Sequence, residues 1–171
     1  MSAIFHSPSK KTPLNFREVV SEIISYIQSE KNQPYKIIVG ADSAAENWTQ
    51  FVTAVSVLKV GKGGRYFWTK SEIVFCPTLQ DRIYKETMAA ITMAQELKSR
   101  LREFAGEDFL WDEKVIVHID VGKNGPTRDL IDAVVGMAKG YGLEAVIKPE
   151  AFCSFVVADR HTHSIENRPP H

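Results

Sequence analysis

Two apolar segments in this chain each end in an aspartate, and this pattern limits the folds that the chain can adopt. Residues 35–42 are almost continuously apolar up to Asp42, and residues 114–120 follow the same pattern up to Asp120. A continuous apolar run is typical of a central strand that is covered on both faces. A carboxylate at the end of such a strand is costly unless it is paired or binds a cation. The two segments therefore predict buried strands whose ends carry functional groups.

The rest of the chain alternates between helix and strand patterns. A capping-box pattern at Asn15 begins a helix to about Glu30. Later segments predict, in order, strands over 35–42, 49–60 and 65–75, a helix over 79–104, a strand over 114–120, a helix from Pro126 to about Tyr141, a strand over 143–148 and a helical stretch from Pro149. The first three strands form an antiparallel meander. We therefore predict an α/β fold, with a five-stranded mixed sheet, helices on both faces and an additional N-terminal helix.

Composition is that of a globular protein, with 44% apolar and 25% charged residues in 171. We expect one domain over residues 15–164, an irregular arm over 1–14 and a loose tail over 165–171. Without an apolar run of membrane-spanning length or a signal-peptide pattern, we expect a cytoplasmic protein with no membrane partner. Cys76 and Cys153 are expected to be free thiols. The formal net charge is zero, so the whole molecule has no attraction to nucleic acid.

Two further acids join the strand-end aspartates as candidates for one site. Glu86 lies beside the apolar stripe of the long helix and leans towards the sheet, whereas Glu96 and Glu103 point away. Asp159 lies in the C-terminal apolar segment. Carboxylates that converge repel each other, and a divalent cation relieves the repulsion. Each acid also has a plainer interpretation: a turn after a strand for Asp42 and Asp120, a solvated helix edge for Glu86, and an ion pair with Arg160 or Lys148 for Asp159.

Four segments resemble the YkuK-type family of bacterial proteins, which are predicted to be ribonuclease H-like and have no assigned activity. They are Val39-Gly-Ala-Asp-Ser43, His118-Ile-Asp-Val-Gly122 with Asn124-Gly-Pro-Thr127, Ile147-Lys-Pro149 and Val157-Ala-Asp-Arg-His-Thr162. The resemblance covers roughly residues 15–163. It implies the ribonuclease H topology and a metal-dependent phosphodiester hydrolase, or nuclease. Asp42, Glu86, Asp120 and Asp159 would be its catalytic carboxylates and would hold two ions, and oxygen ligands favour Mg²⁺ or Mn²⁺.

Other polar and aromatic residues are candidates for contacts with a substrate. His161 can move a proton or contact the scissile phosphate. Residues 123–128 form a turn that opens a helix, where free N–H groups can meet a phosphate. His118 and the inward member of the aromatic run 66–68 are better interpreted as core residues. The predicted substrate-binding residues are Ser43, Trp48 as a base-stacking side chain, Lys123, Asn124, Arg128 and Arg160.

Two functional hypotheses remain open from the sequence. The first is a nuclease that uses two Mg²⁺ or Mn²⁺ ions. The second is a weakly active or inactive domain of the same fold that binds nucleic acid or a protein partner. ATP binding in the manner of actin-like ATPases has little support, since a single domain of this length is too short for two lobes. Retention of four acids favours the nuclease, while the scattered lysines and arginines give no clear surface for a duplex. The sequence indicates no oligomeric state.

Overall fold

The structure, a computed structural model, describes residues 3–110 and 115–151. Three helices and five strands build it, with short 3₁₀ turns at Glu107–Leu110 and Arg128–Leu130. The helices are α1 (Phe16–Gln28), α2 (Leu79–Ala105) and α3 (Ile131–Gly140), and the strands are β1 (Tyr35–Ser43), β2 (Trp48–Lys59), β3 (Gly63–Phe75), β4 (Val115–Ile119) and β5 (Glu144–Ile147).

The five strands form one mixed sheet in the order β3-β2-β1-β4-β5. β1, β2 and β3 are an antiparallel meander, whereas β4 lies parallel to β1 and β5 lies parallel to β4. β1 is therefore central, as its continuous apolar sequence predicts. These observations confirm the predicted fold class and the N-terminal helix.

Local sequence signals explain where the first two helices begin and end. Asn15 accepts a hydrogen bond from the backbone N–H of Glu18, and the Glu18 carboxylate accepts one from the Asn15 N–H, which completes the expected capping box. Thr78 caps α2 by accepting from the Asp81 N–H at 3.0 Å. Gly106 ends α2 with φ of 93°, a conformation that favours glycine.

In the described residues all three helices pack against one face of the sheet, so the predicted helix on the other face stays a prediction. Ile37, Val39 and Ala41 of β1 share a core with buried residues of α1, α2 and α3. On the other face, Ile38, Val52 and Ala54 form a second buried cluster. Because side chains alternate along a strand, each residue of β1 can be assigned to one of these faces by its position. We call them the helix face and the second face.

Two segments differ from the pattern expected. The N-terminal arm is irregular but packed: Phe5 is fully buried, and His6 forms a β-bridge with Trp68 of β3. The helix expected from Pro126 begins only at Ile131, after a turn and the 3₁₀ segment. Gly125 has φ of 95°, which is incompatible with a helix starting there, and the Thr127 hydroxyl accepts from the Gly122 N–H instead of capping a helix.

Other expectations concern the ends of the chain and the thiols. Cys76 is buried and free, whereas Cys153 lies outside the described residues. Residues 148–150 form a turn, and the rest of the predicted last helical stretch is also outside the described residues. Within the described ranges, no helix is both long enough and apolar enough to cross a membrane.

Candidate functional site

The parallel pairing of β1 and β4 brings two of the candidate aspartates to the same edge of the sheet. Gly40 is the register partner of His118. Two residues further along each strand, the same register places Asp42 opposite Asp120. Both aspartates are half-buried. The two strand-end carboxylates are thus neighbours across the central strand pair, as the sequence predicts.

Glu86 reaches the same edge from the helix that packs over β1. It lies on α2, and only 6% of the residue is exposed. The hydroxyl of Ser43, the last residue of β1, donates a 2.6 Å hydrogen bond to Glu86 Oε1. This contact confirms that Glu86 faces the sheet and not the solvent. Ser43, predicted to bind substrate, has a carboxylate partner.

The electrostatics of Glu86 link the three acids. The pKa of Glu86 is raised to about 8, mainly by burial. The negative charges of Asp42 and Asp120 also act to raise it, whereas the Ser43 hydrogen bond and the Arg82 charge act to lower it. Arg82 lies one helical turn before Glu86. The two aspartates therefore favour the protonated, neutral form of Glu86. Large pKa shifts of this kind are concentrated at functional sites.

Asp120 has a cation as its close neighbour. Lys148 Nζ lies 2.6 Å from Asp120 Oδ1 in an ion pair. The same oxygen is buried and has no hydrogen-bond partner, because the ion pair lacks hydrogen-bond geometry. The Ile119–Ile147 register of β4 and β5 explains the contact, since Lys148 and Asp120 each follow the paired residue. Lys148 is also predicted from the sequence as an alternative partner of Asp159, which lies outside the described residues. The feature that points to Asp120 is that β4 and β5 are parallel and end at paired residues, which places Lys148 beside Asp120.

His118 occupies the core and not the site's surface. It is 4% exposed, and burial together with the Lys36 charge lowers its pKa to about 4. The imidazole is therefore neutral at physiological pH, and its burial agrees with the core position that the sequence predicts. It lines a narrow cleft between β1, β4 and α2 together with Ala41, Ile83, Glu86, Thr87, Ile119 and Asp120.

The donor chemistry of this edge fits a hard divalent cation. The charges of Asp42 and Asp120 both act on Glu86, and carboxylate oxygens are the ligands that such a cation prefers. Asp120 Oδ1 already has the Lys148 ammonium beside it. In the conformation that the structure gives to residues 3–110 and 115–151, no three His, Cys, Asp or Glu side chains are close enough to form a metal-binding group. Asp159, Arg160 and His161 lie outside the described residues, so the fourth carboxylate and its neighbours stay predictions.

The other predicted substrate contacts lie on the loop after β4 and at the start of β2. Lys123, Asn124 and Arg128 are exposed on the loop that follows Asp120. Because α3 begins at Ile131, this loop does not place a long helix's N–H groups beside the aspartates. Trp48 is 64% exposed at the start of β2, whereas Phe67 is buried as expected for the inward aromatic of β3. The roles of these residues in binding stay predictions.

Comparison with known proteins agrees with this arrangement. The model of a family described as Ribonuclease H-like matches residues 18–163. The chain is 30% identical over 172 residues to the "Uncharacterized protein YkuK" of Bacillus subtilis (strain 168), with 94% of this chain and 98% of that protein covered. No solved structure matches the chain. The chain therefore belongs to the ribonuclease H-like family and, within it, to the YkuK-type proteins.

Proposed function

We propose that this protein is a divalent-metal-dependent nuclease that hydrolyses phosphodiester bonds at the Asp42–Glu86–Asp120 edge. One observation supports the proposal above all: Glu86 is buried against the strand ends, and the charges of both aspartates raise its pKa. A scaffold gains nothing from this repulsion. A cation of charge +2 relieves it, because the ion offsets the repulsion among neighbouring carboxylates.

In this proposal Asp42, Glu86 and Asp120 hold the cations, with Asp159 as the predicted fourth ligand. Bound Mg²⁺ or Mn²⁺ would supply an activated water and charge stabilisation at the leaving oxygen. Ser43 orients Glu86 through its hydrogen bond to Oε1. Lys148 holds the Asp120 carboxylate as a counter-ion at Oδ1 until a metal ion displaces it. These contacts hold two carboxylates in place before a substrate arrives.

Cleavage assays with matched variants test the proposal. Asp42→Asn and Asp120→Asn should each reduce Mn²⁺-dependent cleavage of single strands, duplexes or hybrids by at least about 100-fold, since metal ions contribute several kcal/mol to transition-state stabilisation. Glu96→Gln is the control, because Glu96 is an exposed acid on the same helix as Glu86. Circular dichroism should show that all three variants fold. Cleavage at the wild-type rate in both aspartate variants would contradict the proposal.

The ion pair at Asp120 supports a second candidate, an inactive ribonuclease H-like domain that binds nucleic acid or a protein. An ammonium group 2.6 Å from Asp120 Oδ1 occupies a position that a metal ion would need. Under this reading the lysine compensates the aspartate permanently, and Mn²⁺ neither stabilises the fold nor supports cleavage. A thermal melt with and without Mn²⁺ therefore separates the two candidates.

A further inference from the structure

Three large apolar side chains are exposed together where β2 begins and β3 ends. Trp48 is 64% exposed, Phe75 is 44% exposed and Ile73 is 65% exposed. Trp48 is the register partner of Phe75, and the centroids of the two rings are 4.8 Å apart at an interplanar angle of 40°. We call Trp48 and Phe75, with Ile73 beside them, the aromatic platform. Contiguous exposed apolar groups of this size mark binding surfaces.

A β-bulge in β3 places the platform on the second face of the sheet. Val52 pairs with Lys70 but Gln50 pairs with Ile73, so β3 has one extra residue in this interval. Without the extra residue, Glu72 and Val74 would lie opposite Gln50 and Trp48. With it, the side chains of Ile73 and Phe75 share the face of Trp48.

Hydrogen bonds hold this bulge in place. The Ser71 hydroxyl accepts from the Phe51 N–H at 2.9 Å and donates to the Glu72 carbonyl at 2.6 Å. The Gln50 side-chain amide donates to the Ser71 carbonyl at 2.9 Å. The bulge is thus a fixed feature that re-aims two apolar side chains. Such bulges occur preferentially at sheet edges and beside active sites.

The platform and Asp42 belong to the same face and the same end of the sheet. Asp42 pairs with Val52, which belongs to the second-face cluster, and Trp48 lies four residues before Val52 on β2. At about 3.3 Å per residue, this separation is about 13 Å along the strand. Lys85 of α2 reaches the same end of the sheet, since its ammonium donates to the Phe75 carbonyl at 2.7 Å and pairs with Asp81.

We propose that the aromatic platform stacks an unpaired base of a single-stranded nucleic acid whose backbone passes the carboxylates. This inference rests on the proposed function, because it names the substrate class of the same site. A duplex hides the faces of its bases, whereas a single strand offers them to aromatic side chains. Stacking also suits a chain of zero formal net charge, which has no whole-molecule attraction to phosphates.

Binding without catalysis tests the platform directly. We would measure fluorescence anisotropy of a labelled single strand of about 12 nucleotides, with EDTA present. Trp48→Leu and Phe75→Leu keep an apolar side chain but remove the ring, and each should weaken binding by about 5- to 150-fold, the equivalent of losing one stacked base. Trp48→Phe should restore much of the affinity. Tyr141→Leu, at a ring that is 52% exposed beyond α3, should change nothing.

Changes in the probe provide an independent measurement on the wild-type protein. An abasic strand with the same phosphates and a blunt duplex of the same sequence should both bind more weakly than the normal strand. Equal affinity for the abasic strand, unchanged affinity in both leucine variants, or no binding of any single strand would each overturn the proposal. A wild-type dimer that Phe75→Leu dissociates, with no change in affinity for the strand, would assign the surface to a second copy of the chain instead.

The outcomes separate this inference from the proposed function. Asp42-dependent cleavage combined with unchanged binding in Trp48→Leu would refute only the platform. Weaker binding in Trp48→Leu combined with no Mn²⁺-dependent cleavage by the wild type would refute only the hydrolase. The second result would leave a single-strand-binding domain of the same fold.

Discussion

Two buried charged side chains lie at opposite ends of the central strand, and their surroundings differ. Lys59, 4% exposed, pairs across from Tyr35 at the start of β1, and Glu86, 6% exposed, contacts Ser43 at its end. Lys59 Nζ donates to the Ser29 hydroxyl at 2.8 Å, pairs with Glu30 at 3.4 Å and lies 4.4 Å from the centre of the Tyr26 ring. Its charge is fully compensated by local partners.

Glu86 has one hydroxyl donor, and the like charges of Asp42 and Asp120 act on it from the strand ends against the charge of Arg82. The difference between Lys59 and Glu86 shows how buried ionisable groups can be interpreted in this fold. A buried cation that contacts a hydroxyl acceptor, a carboxylate and an aromatic ring is part of the structural framework. A buried acid whose pKa is raised by burial and by neighbouring acids is a candidate functional group, and we propose that this one binds a cation. Measurements of stability and of metal binding can test this difference between Lys59 and Glu86.

The strongest test is the pH dependence of stability without metal. The folded-state pKa of Glu86 is about 8, above its ordinary 4.5, so the folded protein binds more protons than the unfolded chain between these values. The free energy of unfolding should therefore fall as pH rises through this window and stop falling above about pH 8. One pKa unit corresponds to about 1.4 kcal/mol, which gives an upper bound of roughly 5 kcal/mol.

Glu86→Gln removes the titrating group and should flatten this part of the profile. The variant should be more stable than the wild type at about pH 9 and similar at about pH 5, as measured by urea unfolding in EDTA. Glu96→Gln is the matched control and should follow the wild-type profile. Parallel profiles for wild type and Glu86→Gln would show that the carboxylates do not interact as described.

Metal addition should affect only the carboxylate end. Mg²⁺ or Mn²⁺ at 10 to 100 times its Kd should stabilise the wild type by about 1–3 kcal/mol, because the ion binds only the folded state. Differential scanning fluorimetry should show this rise in Tm for wild type and for Lys59→Met. Asp42→Asn and Asp120→Asn should lose it. A rise of equal size in both aspartate variants would place the metal elsewhere.

Mutation of Lys59, at the start of β1, should change the free energy of unfolding without any dependence on pH or metal. Lys59→Met removes the contacts with Ser29, Glu30 and Tyr26 and should lower the free energy of unfolding by about 1–2 kcal/mol. Lys62→Met is the control: Lys62 shares Glu30 but is 55% exposed, so the change should stay within about 0.5 kcal/mol. Equal losses in the two variants, measured by urea unfolding, would show that burial does not distinguish these lysines.

The sequence predicts the fold of this protein well because its strand signals are local. Continuous apolar runs, a glycine-rich turn before β3 and two side-chain caps define elements without knowledge of tertiary contacts. The helical wheel also assigns Glu86 to the sheet side of α2, since its neighbours on the wheel are core residues. Asp42 and Asp120 become neighbours once β1 and β4 are taken as adjacent and parallel.

Other features depend on contacts that a single sequence does not display. The bulge at Ser71 depends on hydrogen bonds with Gln50 and Phe51 of the neighbouring strand, so alternation along β3 alone assigns Ile73 and Phe75 to the wrong face. The Lys148–Asp120 pair needs the end points of β4 and β5. The late start of α3 depends on the backbone of Gly125, since proline after glycine otherwise predicts a helix start.

We expect the smallest change for a mutation of Lys148, whose ion pair with Asp120 bears on both proposed functions. Lys148 is 42% exposed at the side chain and Asp120 21%, so Lys148→Met should change stability within about 1 kcal/mol. Because the ammonium competes with a metal ion for Asp120 Oδ1, the variant should bind Mn²⁺ several-fold more tightly, as measured by isothermal titration calorimetry. Lys123→Met, at an exposed lysine three residues after Asp120, controls for a general loss of positive charge.

Whether Lys148→Met strengthens or weakens Mn²⁺ binding shows what the Lys148–Asp120 ion pair does and how it differs from the ion pair at Lys59. Tighter Mn²⁺ binding means that the lysine is a replaceable counter-ion, which holds Asp120 until a stronger cation arrives. Weaker binding means that the lysine orients Asp120 for the metal. Unchanged binding would make the pair as purely structural as the one at Lys59.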